Sequence, residues 1–284
     1  MDRIIIPILT LGGLGILFAL ILSFASKKFH VKVDRRIEAV RAELPGANCG
    51  ACGFPGCDGL AAAIINDGAA ITACPVGGES LVHRLAELLG RVADETSKEV
   101  ACVMCQGDCN LAEEKFHYIG INDCRANQNI QGGSKKCSYG CLGCGTCKDV
   151  CNFGAIEMVN RLPVIDKDKC TACRQCVEIC PRNIIKMVDY EQPVMVKCVS
   201  FDKGKDVRGS CKVGCIGCRI CAKQCPDGFV IENNLAHFNW SKDLDMEEVY
   251  NAVDKCPTKA IYPGLERQEK KKEEKRKEKL AKNA

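Results

Sequence analysis

The sequence predicts an α+β chain in several parts: one N-terminal membrane-spanning helix, a small helical cysteine module, two related α+β units and a charged tail. Three observations predict it. Ile4 to Phe24 runs without a single charge. The stretch LPGANCGACGFPGCDGL, Leu44 to Leu60, sets three cysteines among glycines. Cys124, Cys137, Cys141, Cys144, Cys147 and Cys151 recur at one constant offset as Cys198, Cys211, Cys215, Cys218, Cys221 and Cys225, which marks an internal repeat.

The uncharged run comes first. In helical form it is long enough for a bilayer core of about 30 Å. Pro7 falls in the first turn, where its missing N–H is tolerated. Gly12, Gly13 and Gly15 would let another helix approach closely. A cleaved signal is the competitor, but the n-region is only Met-Asp-Arg and no A-x-A site follows Ser23. The following flank, SKKFHVKVDRR, carries Lys27, Lys28, Lys32, Arg35 and Arg36, against Arg3 and Asp2 on the other side. The positive-inside rule then predicts a single-pass protein of the cytoplasmic membrane, N-terminus outside and C-terminal body in the cytoplasm. That compartment is reducing, so it disfavours disulfides and favours metal-bound thiolates.

Composition narrows the chemistry. The chain has 24 cysteines in 284 residues and four histidines, His30, His83, His117 and His237. None of the four stands in a C-x2-C…H-x3-5-H zinc pattern. The formal charge is +4, and the tail after Leu265 accounts for all of it, with nine Lys/Arg against five Glu. The body is neutral, which argues against a nucleic-acid face. The tail has too little apolar surface to fold alone and reads as a solvated helix or disordered segment. Expected boundaries are 1–26 for the anchor, 27–98 for the cysteine module and its helices, 99–192 and 193–264 for the two units, and 265–284 for the tail.

Along the chain, Asp34 to Glu43 predicts a short helix stopped by Pro45, with Ile37 and Val40 on one face. Residues 46–75 form the cysteine module. Ser80 reads as an N-cap, followed by a stripe of Leu81, Leu85, Leu88, Leu89 and Val92. The segments 155–159 and 162–165 read as two strands turning at Asn160-Arg161.

The strongest chemical signal is C-x2-C-x2-C-x3-C. It occurs at Cys141/Cys144/Cys147/Cys151, at Cys170/Cys173/Cys176/Cys180 and at Cys215/Cys218/Cys221/Cys225. Three thiolates on such a loop reach three irons of one [4Fe-4S] cubane, and the fourth cysteine turns to another cluster. Cys141, Cys144, Cys147 and Cys180 are therefore expected to hold one cluster, and Cys170, Cys173, Cys176 and Cys151 its neighbour. Asn152 stands where a proline often follows the fourth cysteine. Zinc is the alternative, but the spacing suits a cubane better than a tetrahedral ion.

The second unit reads as half of this pattern. Cys215, Cys218 and Cys221 are matched by Cys256, while DLDMEEVYNAV stands where another cysteine loop would be. The N-terminal module is completed by Cys74, giving Cys49, Cys52, Cys57 and Cys74 as a four-thiol site. Gly50, Gly53 and Gly56 permit close backbone approach there.

Eight cysteines remain: Cys102, Cys105, Cys109, Cys124, Cys137, Cys198, Cys211 and Cys225. One allocation gives Cys124 and Cys137 two partners from Cys102, Cys105 and Cys109, and lets Cys198, Cys211 and Cys225 take the third. All eight are candidate ligands. Four clusters follow from the patterned cysteines and up to six from the count.

The N-terminal helix, NCGACGFPGC…ACP and the repeated CSYGCLGC and CKVGCIGC together resemble the B subunit of the Rnf complex, over roughly residues 1–262. That resemblance implies tandem ferredoxin-like [4Fe-4S] units in a membrane-bound, Na⁺- or H⁺-translocating ferredoxin:NAD⁺ oxidoreductase. It implies reduced ferredoxin and other complex subunits as partners, and the richness in cysteine suggests an anaerobe's version. A polyferredoxin-type carrier of another anaerobic membrane enzyme is the alternative. No strand-linked G-x-G-x-x-G and no P-loop occurs, so no flavin or nicotinamide site and no catalytic substrate site is expected in this chain. The single span lacks an internal ionisable residue, so the ion path is expected elsewhere. Lys197, Lys203, Lys205, Arg208 and Lys212 could dock an acidic ferredoxin. The N-terminal module, next to the anchor, is expected at the membrane end of the relay.

Overall fold

A computed structural model describes residues 2–28, 34–92, 97–241 and 243–264. The charged tail and part of the basic flank lie outside the described residues. Helix α1 runs Asp2–Lys28. Leu11, Leu14, Ile16, Leu17, Phe18 and Leu20 are all exposed on it, so its apolar surface goes all round and has no cover among the described residues. Among the described residues it is the one helix long and apolar enough to cross a membrane.

Three helices follow: α2 (Arg35–Glu43), α3 (Gly56–Asn66) and α4 (Gly78–Leu89). Asp34 caps α2 by accepting a hydrogen bond from the Arg36 amide. Val40, Leu60, Ile64, Leu81 and Leu85 are essentially sealed between the three helices. Each contributes about 1.5–3 kcal/mol of burial. Helix α4 begins before the expected cap. Gly77 precedes it, and Ser80 is inside the first turn with its hydroxyl directed at the Gly77 carbonyl. It ends at Gly90 in the left-handed conformation, so Val92 lies beyond it, and Leu88 is exposed within it; the apolar stripe is shorter than its sequence suggested.

The next segment contains β1 (Glu99–Val103), α5 (Cys124–Asn129), α6 (Thr146–Asp149), β2 (Ile156–Val159), β3 (Leu162–Ile165), α7 (Gln175–Glu178) and β4 (Ile185–Asp189). β1 pairs antiparallel with β4, Val100 opposite Val188, and β2 with β3. The last segment contains β5 (Met195–Val196), α8 (Gly204–Arg208), α9 (Ile220–Gln224), β6 (Phe229–Glu232), β7 (Leu235–Phe238), α10 (Met246–Asp254) and β8 (Ile261–Tyr262). Here β5 pairs with β8 and β6 with β7.

Both segments follow one plan: a first strand paired with a last strand, enclosing a hairpin. Both hairpins turn on two residues with positive φ, Asn160-Arg161 in one and Asn233-Asn234 in the other. This is the backbone that matches the twist of two-residue hairpins, and asparagine tolerates it. The segments differ at α10. It fills the place of a second cysteine loop and buries Val249, Ala252 and Val253 in one core with Phe229 and Cys225.

Candidate metal centres

Each C-x2-C-x2-C loop repeats one backbone motif. Gly143 and Gly145, Ala172 and Arg174, Gly217 and Arg219 all have positive φ, at matching places before and after the middle cysteine. Left-handed residues set between right-handed ones turn successive N–H groups into one concavity, which suits sulfide and thiolate. For Ala172, Arg174 and Arg219 the conformation costs roughly 1–2 kcal/mol each. The glycines also allow close approach: a Cβ on Gly143 would stand 2.4 Å from the Arg161 carbonyl oxygen, and one on Gly217 2.7 Å from that of Asn234.

The patterned cysteines gather into separate sets. Cys151, Cys170, Cys173 and Cys176 line one cavity with an empty volume of about 350 Å³. Cys215, Cys218, Cys221 and Cys256 line another of about 330 Å³. Cys141, Cys147 and Cys180 line a third of about 350 Å³, with Cys124 in its wall. Cys144 meets this set through Cys124: the two share a hydrogen bond that holds Cys124 down at about 5 and pushes Cys144 up. In the N-terminal module, Cys52, Cys57 and Cys74 pack on the core of α2, α3 and α4. Asn48 closes that loop by accepting from the Cys57 amide at 2.9 Å.

The cavities fit [4Fe-4S] clusters by two observations. Thr171 Oγ1 and Arg182 Nε are buried without a partner, each in the wall of a thiol cavity, where a sulfide would accept from it. Also, among the described residues no three His, Cys, Asp or Glu side chains converge on a point that would hold one metal ion. The thiols stand around a space instead, as ligands of a four-iron body would. Burial pushes Cys141 and Cys176 up to about 12 and Cys147 and Cys221 to about 11. Loading these sites therefore displaces protons.

The remaining eight cysteines depart from the expected grouping. Cys105, Cys137, Cys198 and Cys211 come together, two from each segment, around a space of about 400 Å³. Cys124 belongs with Cys144 instead. Cys102 is buried beside the Met195 thioether, 2.8 Å away. Cys109 is exposed. Cys225 is 1% exposed in the core under α10, with Gly228 against it. Of the expected allocation, Cys198 and Cys211 do meet one of Cys102, Cys105 and Cys109, namely Cys105, but Cys137 stands where Cys225 was expected, and Cys124 and Cys137 line different cavities.

Beside burial, a thiol of a neighbouring set helps to raise several of these cysteines: Cys49 for Cys173, Cys147 for Cys176, Cys105 for Cys141 and Cys215 for Cys198. Two polar residues that the sequence did not single out serve them. Asn127, fully buried, donates to Cys144 Sγ at 3.4 Å and to Ser134 Oγ at 3.2 Å. Lys135, 5% exposed, donates to the Gly107 carbonyl beside Cys105 and Cys211. Of the basic residues picked for docking, Lys197 lies over the Tyr262 ring at 4.1 Å. Lys203, Lys205, Arg208 and Lys212 are exposed on and around α8.

Comparisons with known proteins agree with this geometry. A family model for an Fe-S cluster matches residues 44–76, a 4Fe-4S dicluster domain residues 140–184, and a 4Fe-4S single cluster domain of Ferredoxin I residues 212–262. The chain is 47% identical to the B subunit of the Na(+)-translocating ferredoxin:NAD(+) oxidoreductase complex of Acetobacterium woodii, over 94% of this chain and 80% of the relative. It is 40% identical to the B subunit of the ion-translocating oxidoreductase complex of Methanosarcina acetivorans, over 89% and 96%. The chain belongs to the family of Rnf complex B subunits. The B subunit of the proton-translocating ferredoxin:NAD(+) oxidoreductase complex of Clostridium ljungdahlii is 40% identical over 96% of this chain and 98% of its own. This Rnf-type chain is thus an electron-transfer subunit of an ion-translocating ferredoxin:NAD⁺ oxidoreductase. It carries multiple [4Fe-4S] clusters, works with the other subunits of that membrane complex and is membrane-associated.

Proposed function

We propose that electrons from reduced ferredoxin arrive at the Cys215/Cys218/Cys221/Cys256 end and leave through the N-terminal module towards a membrane partner. A bound [4Fe-4S] cluster supplies a one-electron carrier. The chain's own part is to hold each carrier by four thiolates, aim N–H donors at it and keep it in order with the next. The ligands are Cys49, Cys52, Cys57 and Cys74; Cys151, Cys170, Cys173 and Cys176; Cys141, Cys144, Cys147 and Cys180; and Cys215, Cys218, Cys221 and Cys256. The segments 99–192 and 193–264 then act as tandem ferredoxin-type units.

The observation that carries the direction is placement. Cys218 is exposed, and Ile216, two residues before it, packs against Gly204 at the start of α8, whereas Cys49 is in the module that follows α1. An acidic donor would be steered to the first end. Helix α1 crosses the lipid with the body on the cytoplasmic side, as the basic residues after it favour.

The test uses Cys52→Ala in the purified complex. Ferredoxin should still reduce the other clusters, while NADH formation is lost. Loss of all reduction by ferredoxin would make the N-terminal module the receiving end and overturn this direction.

A further inference from the structure

We infer that Cys105, Cys137, Cys198 and Cys211 hold a further [4Fe-4S] cluster at the joint between the two segments, with Lys135 as its buried counter-charge. This deepens the relay reading and rests on the patterned sets holding cubanes.

The site is built twice over. Cys105 stands two residues after β1 and Cys198 two residues after β5. Cys137 and Cys211 both stand four residues before the first cysteine of a C-x2-C-x2-C loop. Each segment thus gives an equivalent pair, and neither pair is a site alone. The joint is also fixed. Ala112 bridges Cys211, the Lys212 amide donates to the Leu111 carbonyl at 2.9 Å, and the Glu113 amide to that of Ser210 at 2.9 Å. Gly107 makes room: a Cβ there would stand 3.1 Å from Cys211 Sγ and 3.9 Å from Cys105 Sγ.

Chemistry points the same way. The cavity, about 400 Å³, is comparable with the three patterned ones, at about 330–350 Å³. Backbone N–H groups face the sulfurs and favour their thiolates: those of Tyr139 and Gly140 at Cys137, of Val213 at Cys211, and of Ser200 and Cys215 at Cys198. Lys135 lines this cavity, and among the described residues its ammonium bonds only the Gly107 carbonyl. A buried ammonium calls for an anion beside it. Four thiolates around a [4Fe-4S] core carry net negative charge and answer that need. Position gives the cluster a task. Cys137 leads into the loop of Cys141 and Cys211 into that of Cys215, so the joint is tied directly to a patterned loop of each segment.

The test is iron and acid-labile sulfide in the full chain, purified anaerobically. Five four-iron sites give about 20 Fe per chain, and Cys211→Ala and Cys137→Ala should each lose about four. Cys109→Ala and Cys225→Ala should lose none. Unchanged iron in Cys211→Ala, or zinc found in its place, overturns the site. Iron near zero in the parent chain would instead overturn the relay reading beneath it. Lys135→Met is the second arm. It should keep the iron but shift one midpoint potential downward in an EPR-monitored titration. Unshifted potentials overturn the role given to Lys135.

Discussion

Cys49 of the N-terminal module lies within electrostatic reach of Cys173, the middle thiol of the second C-x2-C-x2-C loop. The two are far apart in sequence, so the fold, not the chain, makes them neighbours. Reduced centres this close couple magnetically. The fully reduced chain should give an interaction-broadened EPR signal. Removing the N-terminal centre by Cys52→Ala should sharpen the signal of its neighbour. A spectrum that is the plain sum of isolated centres, unchanged in the variant, would contradict this adjacency.

Asn127 is the buried donor to Cys144. Replacing it with leucine removes one N–H···S bond and leaves the Ser134 amide, now bonded to Asn127 Oδ1 at 2.9 Å, without its acceptor. The expected cost is about 1–3 kcal/mol. One cluster's midpoint should become more negative, since a donor to the ligand sulfur favours the reduced state. Thermal unfolding and a redox titration check the two halves separately.

Gly143 and Gly217 occupy equivalent turns, each with positive φ and a carbonyl oxygen where a Cβ would go. Gly143→Ala and Gly217→Ala should each cost about 2–5 kcal/mol, from the left-handed conformation and the overpacking together. Iron analysis should show loss of the local cluster. Gly50→Ala meets no neighbour within 4 Å, so only its conformation penalises it and the loss should be smaller.

The exposed basic residues around α8 make a kinetic prediction. Charge reversal at Lys203, Lys205 and Arg208 should slow reduction by ferredoxin about tenfold at low salt and flatten its salt dependence, with iron unchanged. Stopped-flow rates across a salt series measure this. Rates that do not move would place the docking face elsewhere.

Helix α1 leaves its apolar side chains uncovered. A chain lacking residues 1–28 should leave the membrane fraction and keep its full iron content. Retention in the membrane, or loss of iron, would show that the body depends on the helix or binds lipid itself.

The repeated loops, the Asn160-Arg161 hairpin and the α2 helix were legible in the sequence because each depends on local spacing. The joint was not. The constant offset of the repeat pairs Cys198 with Cys124, but the folded equivalent of Cys198 is Cys105. Strand ends set that equivalence. Between Cys105 and Cys137 the first segment inserts α5 and its loops, a stretch more than twice as long as the one between Cys198 and Cys211. Cys124 rides on that insertion and is carried to Cys144 instead. Lys135 and Asn127 were silent for a related reason: a polar residue's burial depends on contacts from other segments, and neither lies in a spaced motif.

Helix α10 has an effect on traffic. In the first segment the corresponding place is a second cysteine loop with neighbours on both sides. In the last segment that place is closed by valine and alanine packed on Phe229. Under the proposed relay, α10 would leave the outermost set with a neighbour on one side only, so electrons entering there would have a single way onward.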